Sequence, residues 1–180
     1  MLKKGAPANA KSAILADVML AKLARWLRLA GIAVKDVPMQ DDGAILKYTK
    51  KSGATLLTSD VALSLRARKR RIAVLLVDQH DLDCQLAYVI ESLKLEIETD
   101  PSKTLCPKCG LRLNTVSSDF ASRRGLLESI TERYSEFYYC KKCNKLYWQG
   151  AHWDKIKDRL KRVSEIQTKF KMAPVVQNHN

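Results

Sequence analysis

The chain has 180 residues, of which 46% are hydrophobic, so it is long enough for one ordinary domain with a small appendage and apolar enough to bury a core. Its 32 Lys and Arg against 19 Asp and Glu give a formal net charge of +13, which favours nucleic acid over a membrane surface as partner. No run approaches the roughly 18 apolar residues of a membrane span, and the N-terminus makes a poor signal peptide. We therefore expect an intracellular protein, cytoplasmic or nuclear and not secreted, without a membrane partner.

The predicted elements alternate between short apolar runs and helical patterns. Residues 1–11 have no periodicity and are expected to be disordered. The patterns that follow predict strands at 12–16, 32–37, 55–58 and 72–77, and helices at 18–29, 42–51, 61–71 and 82–93. This β-α-β-α order predicts an α/β domain over residues 12–98, with three layers and a mainly parallel sheet of four or five strands.

An acidic residue comes just before each of three predicted helices. The candidates are Asp17, Asp42 (with Asp41 as its substitute) and Asp60. Ligands of open α/β sheets bind outside the carboxyl ends of the strands, where such side chains are able to converge. A site of this kind suits Mg²⁺ or Mn²⁺, which take one or two carboxylates and activate water for attack on a phosphodiester. The competing interpretation is that each residue is only a helix N-cap, and the spacing leaves both open.

Four of the five cysteines form two CxxC pairs that are separated by 30 residues. They are Cys106, Cys109, Cys140 and Cys143. Paired thiolates at this spacing predict a tetrahedral structural zinc site with no open position, and neither pair has the setting of a thioredoxin-like redox motif. We therefore predict a zinc ribbon over residues 99–151. The remaining Cys84 lies in a helical pattern and is interpreted as a small core residue.

The last helix is predicted over residues 152–171, with one apolar face and many basic side chains, and residues 172–180 are predicted to be a loose tail. Two groups of cations are candidates for RNA contact. One is a stripe at helical spacing in the first helix, Lys22, Arg25 and Arg28. The other is a dense run that also fits a localisation signal, Arg66, Arg68, Lys69, Arg70 and Arg71. Aromatic side chains of the predicted ribbon are able either to stack on unpaired bases or to pack its small core.

Several segments, in order, resemble one family. They are Ala16–Arg28, Asp41-Asp42, Leu57-Thr58-Ser59-Asp60 and Tyr147–Trp153. Over about residues 13–155 the chain resembles the Mut-seven C-terminal domain family. The resemblance implies a PIN-like three-layer fold followed by a four-cysteine zinc ribbon, and a Mg²⁺- or Mn²⁺-dependent ribonuclease. Matched by position, it implies catalytic roles for Asp17, Asp42 (or Asp41) and Asp60, with a fourth acid sought among Asp78, Asp81 and Asp83.

The resemblance also implies a biological setting. Domains of this family form the C-terminal part of longer 3′–5′ exonucleases involved in small-RNA silencing, so the chain is expected to bind single-stranded RNA and to be part of, or companion to, a ribonuclease. The sequence leaves open whether the acidic site is active. The alternatives are a non-catalytic RNA-binding module whose acids only cap helices, and a protein-docking module that supports a separate exonuclease domain in the same full-length chain.

Overall fold

The computed structural model describes residues 13–172. The predicted disordered segment 1–11 lies outside the described residues, as do residue 12 of the predicted first strand and residues 173–180 of the predicted tail. Disorder at either end therefore stays a prediction. No helix among the described residues combines the length and the apolar character that crossing a membrane requires.

Four parallel strands form the central sheet of the N-terminal part. In chain order they are β1 (Ile14–Ala16), β2 (Val34–Asp36), β3 (Thr55–Thr58) and β4 (Val74–Leu76). They lie in the order β2-β1-β3-β4, so β1 and β3 are neighbours at the centre of the sheet. The predicted α/β fold with a parallel sheet is confirmed. Some strands are shorter than predicted, because flanking apolar residues such as Ile72 and Val77 are buried without belonging to a strand.

A helix follows each of these strands. The helices are α1 (Ala21–Leu29), α2 (Asp42–Ser52), α3 (Val61–Lys69) and α4 (Leu82–Ser92). One turn of 3₁₀ helix at Val18–Leu20 precedes α1, so the predicted helix 18–29 has two parts. The helix α2 ends before Gly53, as predicted, and at this glycine the backbone takes φ 64°, a left-handed conformation that a residue without Cβ adopts at low cost.

The sheet buries both of its faces between helices, because successive strand residues point to opposite sides. On β1, Ile14 and Ala16 pack in the core that includes residues of α1 and α4, whereas Leu15 packs in the core that includes residues of α2 and α3. On β3, Leu57 and Leu56 divide between the two cores in the same way. The result is the predicted three-layer arrangement.

The ribbon follows a 3₁₀ turn at Pro101–Lys103 and contains a three-stranded antiparallel sheet. Its strands are β5 (Asn114–Val116), β6 (Phe137–Cys140) and β7 (Lys145–Trp148), in the order β5-β6-β7. Two short helices, α5 (Ser118–Arg123) and α6 (Glu128–Thr131), occupy the connection between β5 and β6. Arg124 lies over the rings of Phe120 and Tyr139, with 5.1 and 4.6 Å from its Cζ to the ring centroids, and so holds α5 against β6.

The C-terminal helix returns from the ribbon to the α/β layers. This helix is α7 (Ala151–Met172), and it packs along α4. Its Leu160 and Val163 are buried in the core on the α1 and α4 side of the sheet. Arg159 forms an ion pair with Asp83 of α4 at 2.9 Å. The helix predicted after the ribbon is therefore present, and it completes the layer that covers one face of the parallel sheet.

Candidate acidic site and zinc centre

Two of the predicted acids lie at the carboxyl ends of neighbouring strands and share one hydroxyl group. Asp17 directly follows β1, and its side chain is buried. Thr58, the last residue of β3, donates its hydroxyl to Oδ2 of Asp17 at 2.8 Å and accepts the backbone N–H of Asp60 at 3.0 Å. Because β1 and β3 are adjacent and parallel, this contact brings Asp17 and Asp60 to the same edge of the sheet.

Helix capping accounts for two of the acids but not for Asp17. Asp60 accepts the N–H of Leu63 at 2.9 Å, and Asp41 accepts the N–H of Ala44 at 2.7 Å, as N-cap side chains do. Asp17 precedes a 3₁₀ turn and makes no side-chain cap hydrogen bond. The buried carboxylate of Asp17 is instead held by the Thr58 hydroxyl, so helix capping does not account for its position.

Asp42 lies in the first turn of α2 and forms an ion pair with Arg66 of α3. This pair joins the two helices on one side of the sheet, and both side chains are partly exposed. Each of four carboxylates uses only one of its two oxygens in its hydrogen bond or ion pair: Asp17, Asp41, Asp42 and Asp60. The second oxygen of each therefore has no such contact within residues 13–172, and in Asp17, Asp41 and Asp60 it is able to bind a cation, whereas Arg66 neutralises the carboxylate of Asp42.

The aspartates do not form a preassembled cluster. A preassembled metal site would bring three or more ligand atoms close together. Within residues 13–172, the four cysteines of the CxxC pairs do so, with their sulfur atoms all within 4.8 Å of one another, but the aspartates do not. Mg²⁺ is commonly held by one or two carboxylates together with water and substrate phosphate. Asp17 and Asp60 fit that requirement, and Asp42 is able to join them only if it leaves Arg66.

The sulfur atoms of the four cysteines fit one zinc ion. The ligands would be Cys106, Cys109, Cys140 and Cys143. The Sγ atoms of Cys109 and Cys140 are 3.5 Å apart, which is too far for a disulfide. A tetrahedron with Zn–S bonds of about 2.3 Å has edges of about 3.8 Å. The predicted four-cysteine site is thus supported by a cluster of the right residues and spacing.

Each cysteine pair forms a tight turn that ends in left-handed backbone. Gly110 donates its N–H to the carbonyl of Cys106 at 2.8 Å and has φ 73°. In the second pair, the N–H of Cys143 points to Sγ of Cys140 at 3.5 Å, and Asn144 has φ 54°. Glycine and asparagine are the residues that tolerate this conformation best, so both turns follow from the local sequence.

The electrostatics of the cluster favour a bound cation. Burial raises the pKa of the Cys106 thiol, but hydrogen bonds from the Tyr147 hydroxyl and from backbone N–H groups outweigh it and bring the pKa down to about 7. Burial and then the neighbouring thiols raise the pKa of Cys143 to about 12, and burial raises the pKa of Cys140 as well. One thiolate forms readily here, and four together need a metal ion to offset their repulsion.

Comparison with known protein families matches residues 12–160 to the Mut7-C RNAse domain. The chain belongs to this family. The resemblance inferred from the sequence motifs is therefore confirmed, and RNA is the substrate that the family's description implies. No curated protein and no solved structure matched the chain.

One predicted RNA-binding residue of this Mut7-C domain has a structural position instead. The guanidinium group of Arg28 is buried, and it donates to the carbonyl of Val34 at 2.9 Å and to Asp36 at 2.7 Å. It also reaches the carbonyls of Pro107 and Lys108, both at 3.3 Å, in the first cysteine turn. Arg28 thus joins α1, β2 and the ribbon, and it is not available to an RNA phosphate. Its helical spacing with Lys22 and Arg25 gave no sign of this, because the carbonyls that it binds in the cysteine turn lie about 80 residues further along the chain.

The basic run of the Mut7-C domain is spread along α3. This helix starts at the edge of the sheet that carries Asp60 and runs back to the opposite edge, as the helix of a parallel β-α-β unit does. Arg66 reaches the acidic edge, where it pairs with Asp42. The other residues of the run are exposed and lie toward the opposite edge: Arg68, Lys69, Arg70 and Arg71. Lys22 and Arg25 are exposed on α1.

The three candidates for a fourth acid have different environments. Asp81 caps α4, and the N–H groups of Cys84 and Asp83 lower its pKa despite the opposing effect of desolvation. Asp83 pairs with Arg159 and Arg162 of α7. Asp78 follows β4 and is exposed, and no hydrogen bond or ion pair within residues 13–172 holds its carboxylate. Its position after a strand adjacent to β3 makes Asp78 the best placed of the three.

The hydrogen bond from Thr58 to Asp17 is a contact of the candidate site that sequence reasoning missed, although Thr58 lies inside a quoted motif. Changing Thr58 to Val keeps the shape but leaves the buried Asp17 without its donor, and we expect a loss of about 2 kcal/mol in unfolding free energy. The matched control is Thr49→Val. Thr49 is equally buried, but it donates to the carbonyl of Ile45 within α2, so its loss should cost less than about 1 kcal/mol. Denaturant titration of the zinc-loaded chains measures both, and equal losses would contradict the proposed importance of the Thr58 hydroxyl.

Proposed function

We propose that this Mut7-C domain binds single-stranded RNA and hydrolyses its phosphodiester bonds with Mg²⁺ or Mn²⁺. Asp17, Asp42 and Asp60 would hold the cation, with Asp41 as substitute for Asp42. The observation that carries the proposal is the Thr58 hydroxyl, which donates to the buried carboxylate of Asp17, directly after β1, and accepts the backbone N–H of Asp60, after β3. The zinc ion of the ribbon has a structural role in this proposal.

When bound, the divalent cation supplies Lewis-acid chemistry, by lowering the pKa of a water and offsetting charge on the leaving oxygen. The protein's own groups position the reactants. Thr58 fixes the orientation of Asp17, and the cap hydrogen bond with Leu63 fixes that of Asp60. The positive end of α3 lies beside Asp60 and favours the approach of an RNA phosphate to this edge.

We assign the fourth acid to Asp78, since Asp81 and Asp83 are engaged in a helix cap and in ion pairs. The exposed cations of α1 and of the basic run would bind RNA phosphates, namely Lys22, Arg25, Arg66, Arg68, Lys69, Arg70 and Arg71. A phosphate that draws Arg66 away from Asp42 would release this carboxylate to the cation. Arg28 is left out of the RNA-binding set because it is buried.

The test is cleavage of labelled single-stranded RNA by the purified chain with added Mg²⁺ or Mn²⁺. We expect Asp17→Asn and Asp60→Asn each to lower the cleavage rate about 100-fold or more and to change the RNA affinity only a few-fold. The matched control is Asp119→Asn, because Asp119 is an exposed acid on α5 of the ribbon. Cleavage that survives both substitutions, or that needs no added cation, would overturn the assignment of the acids.

A second candidate function is a non-catalytic RNA-binding module. The pairing of Asp42 with Arg66 favours it, because that contact occupies one of the three acids. Salt-sensitive RNA binding without cleavage in either cation would establish this alternative, and absence of both binding and cleavage would favour a protein-docking module. In any of these roles we propose a setting in RNA processing or small-RNA silencing, inside the cell and beside an exonuclease domain of the full-length chain.

A further inference from the structure

A cavity of about 640 Å³ lies where the ribbon meets α1 and the first turns of α7. Its volume is in the range typical of small-molecule and cofactor pockets. Aromatic rings from several elements line it: Tyr134, Tyr138, Tyr147, Trp148 and Trp153. So many rings around one space provide flat apolar surfaces of the kind on which nucleobases stack.

The rings are held in place before any ligand binds. The hydroxyl of Tyr138 donates to Glu136 at 2.8 Å, and that of Tyr147 contacts Sγ of Cys106 at 3.4 Å. Gly150 lets Trp148 lie against the backbone, since a Cβ built on Gly150 would be only 3.0 Å from Nε1 of this indole. Rings fixed in this way lose little entropy when a planar ligand is inserted between them.

The cavity is positively charged and its lining residues include no Asp or Glu. Arg25 enters from α1 and Arg133 from the segment before β6, with His152 at the start of α7. No ion pair within residues 13–172 joins Arg25 or Arg133 to a carboxylate. Both guanidinium groups are therefore available to a ligand that carries negative charge.

One residue that lines the cavity has a buried hydrogen-bond donor without a partner among the described residues. Trp153 is more than nine-tenths buried, and its Nε1–H has no acceptor within the described part of the chain. Buried indole N–H groups usually have an acceptor, because leaving such a donor unpaired is costly. A ligand in the cavity would reach this nitrogen only by shifting the indole, because the atom is also closed to water.

We propose that this cavity binds a base of single-stranded RNA, with its phosphates contacting Arg25 and Arg133. The cavity includes Leu29 at the end of α1, whereas Asp17 precedes the start of that helix, so the two sites lie toward opposite ends of α1. The nine residues of α1 span about 14 Å, and a strand that occupies both sites runs along this helix. The inference rests on the proposed RNA binding, and it adds a subsite that holds the strand away from the acids.

The experiment measures fluorescence anisotropy of a labelled single-stranded RNA on the zinc-loaded full chain, with Mg²⁺ and Mn²⁺ omitted to prevent cleavage. We expect Trp148→Ala to weaken binding about 5- to 150-fold, the range for loss of one stacked base. Trp148→Phe, which keeps a ring, should stay within a few-fold of the parent. Tyr48→Ala is the matched control, because Tyr48 is an exposed aromatic residue on α2, outside the cavity. An abasic strand with the same number of phosphates should bind Trp148→Ala and the parent equally.

The outcomes separate this inference from the proposed function. If the parent binds RNA and Trp148→Ala binds it equally well, the cavity subsite is wrong while RNA binding stands. If the parent binds no RNA, the proposed function itself fails. Displacement of the RNA by polyglutamate, with the same loss in Trp148→Ala, would identify the cavity as a site for acidic peptides and overturn the RNA assignment.

Zinc content and circular dichroism would reveal whether Trp148→Ala folds. If it does not fold, a measurement on the unaltered chain tests the proposal instead. RNA that contains 4-thiouridine is irradiated on the parent protein, and the adducts are mapped by mass spectrometry. We expect adducts on peptides that line the cavity, around Tyr134 and Trp148. Adducts confined to peptides of the α/β layers would overturn the proposal.

Discussion

A chain stripped of zinc is expected to lose the fold of its ribbon. The ribbon has strands of only three or four residues, and a segment this small buries too little apolar surface to fold alone. Structural zinc contributes about 10–16 kcal/mol in comparable small domains, which is more than any single side chain supplies. Zinc analysis of the purified protein should find one ion per chain. After chelation, limited proteolysis should cut within β5–β7 while the α/β layers resist.

Two cysteine variants provide the control. Cys143→Ser removes one of the four clustered sulfurs, whereas Cys84→Ser removes a half-buried thiol on α4 that lies outside the cluster. We expect the first variant to be purified with little zinc and a protease-sensitive ribbon, and the second to keep both the metal and the protection. A stripped chain whose ribbon still resists protease would show that zinc does not hold this part together.

Local signals were sufficient for most of the fold. Helix α2 begins after the capping Asp41 and ends before Gly53, and both boundaries follow from the chemistry of single residues. The near-continuous apolar runs predicted buried parallel strands, and the two CxxC pairs predicted the cluster of sulfurs, because a turn around a metal ion needs only four consecutive residues. Each of these signals is itself a few residues long, although the two CxxC pairs are separated by 30 residues.

The sequence could not predict contacts that join distant segments. Arg25 and Arg28 look alike in the helical stripe, yet Arg25 is exposed and Arg28 is buried, because the first cysteine turn of the ribbon covers Arg28. The role of Thr58 depends on β3 lying beside β1, and the pairing of Arg66 with Asp42 depends on α3 lying beside α2. These are tertiary effects, and they concern the residues on which the candidate site depends.

The burial of Arg28 gives the second large effect that we expect. Substitution by Met keeps much of the side-chain volume but removes every donor, so the carbonyls of Val34, Pro107 and Lys108 lose their partner. Leaving such groups unpaired in a buried joint should lower the unfolding free energy by about 3 kcal/mol. Denaturant titration of the zinc-loaded chain measures this loss.

A second measurement shows whether the lost stability arises where Arg28 connects α1 to the first cysteine turn. Two of the carbonyls belong to the first cysteine turn, so Arg28→Met should also speed the transfer of zinc to a chromogenic chelator. The matched control is Asp36→Asn, which removes only the negative charge of the half-exposed partner of the same arginine and should cost about 1 kcal/mol or less. If Arg28→Met released zinc no faster than Asp36→Asn, the arginine would not be what fixes the ribbon to α1. Faster release from Arg28→Met alone would establish that one buried side chain couples the zinc ribbon to the α/β layers.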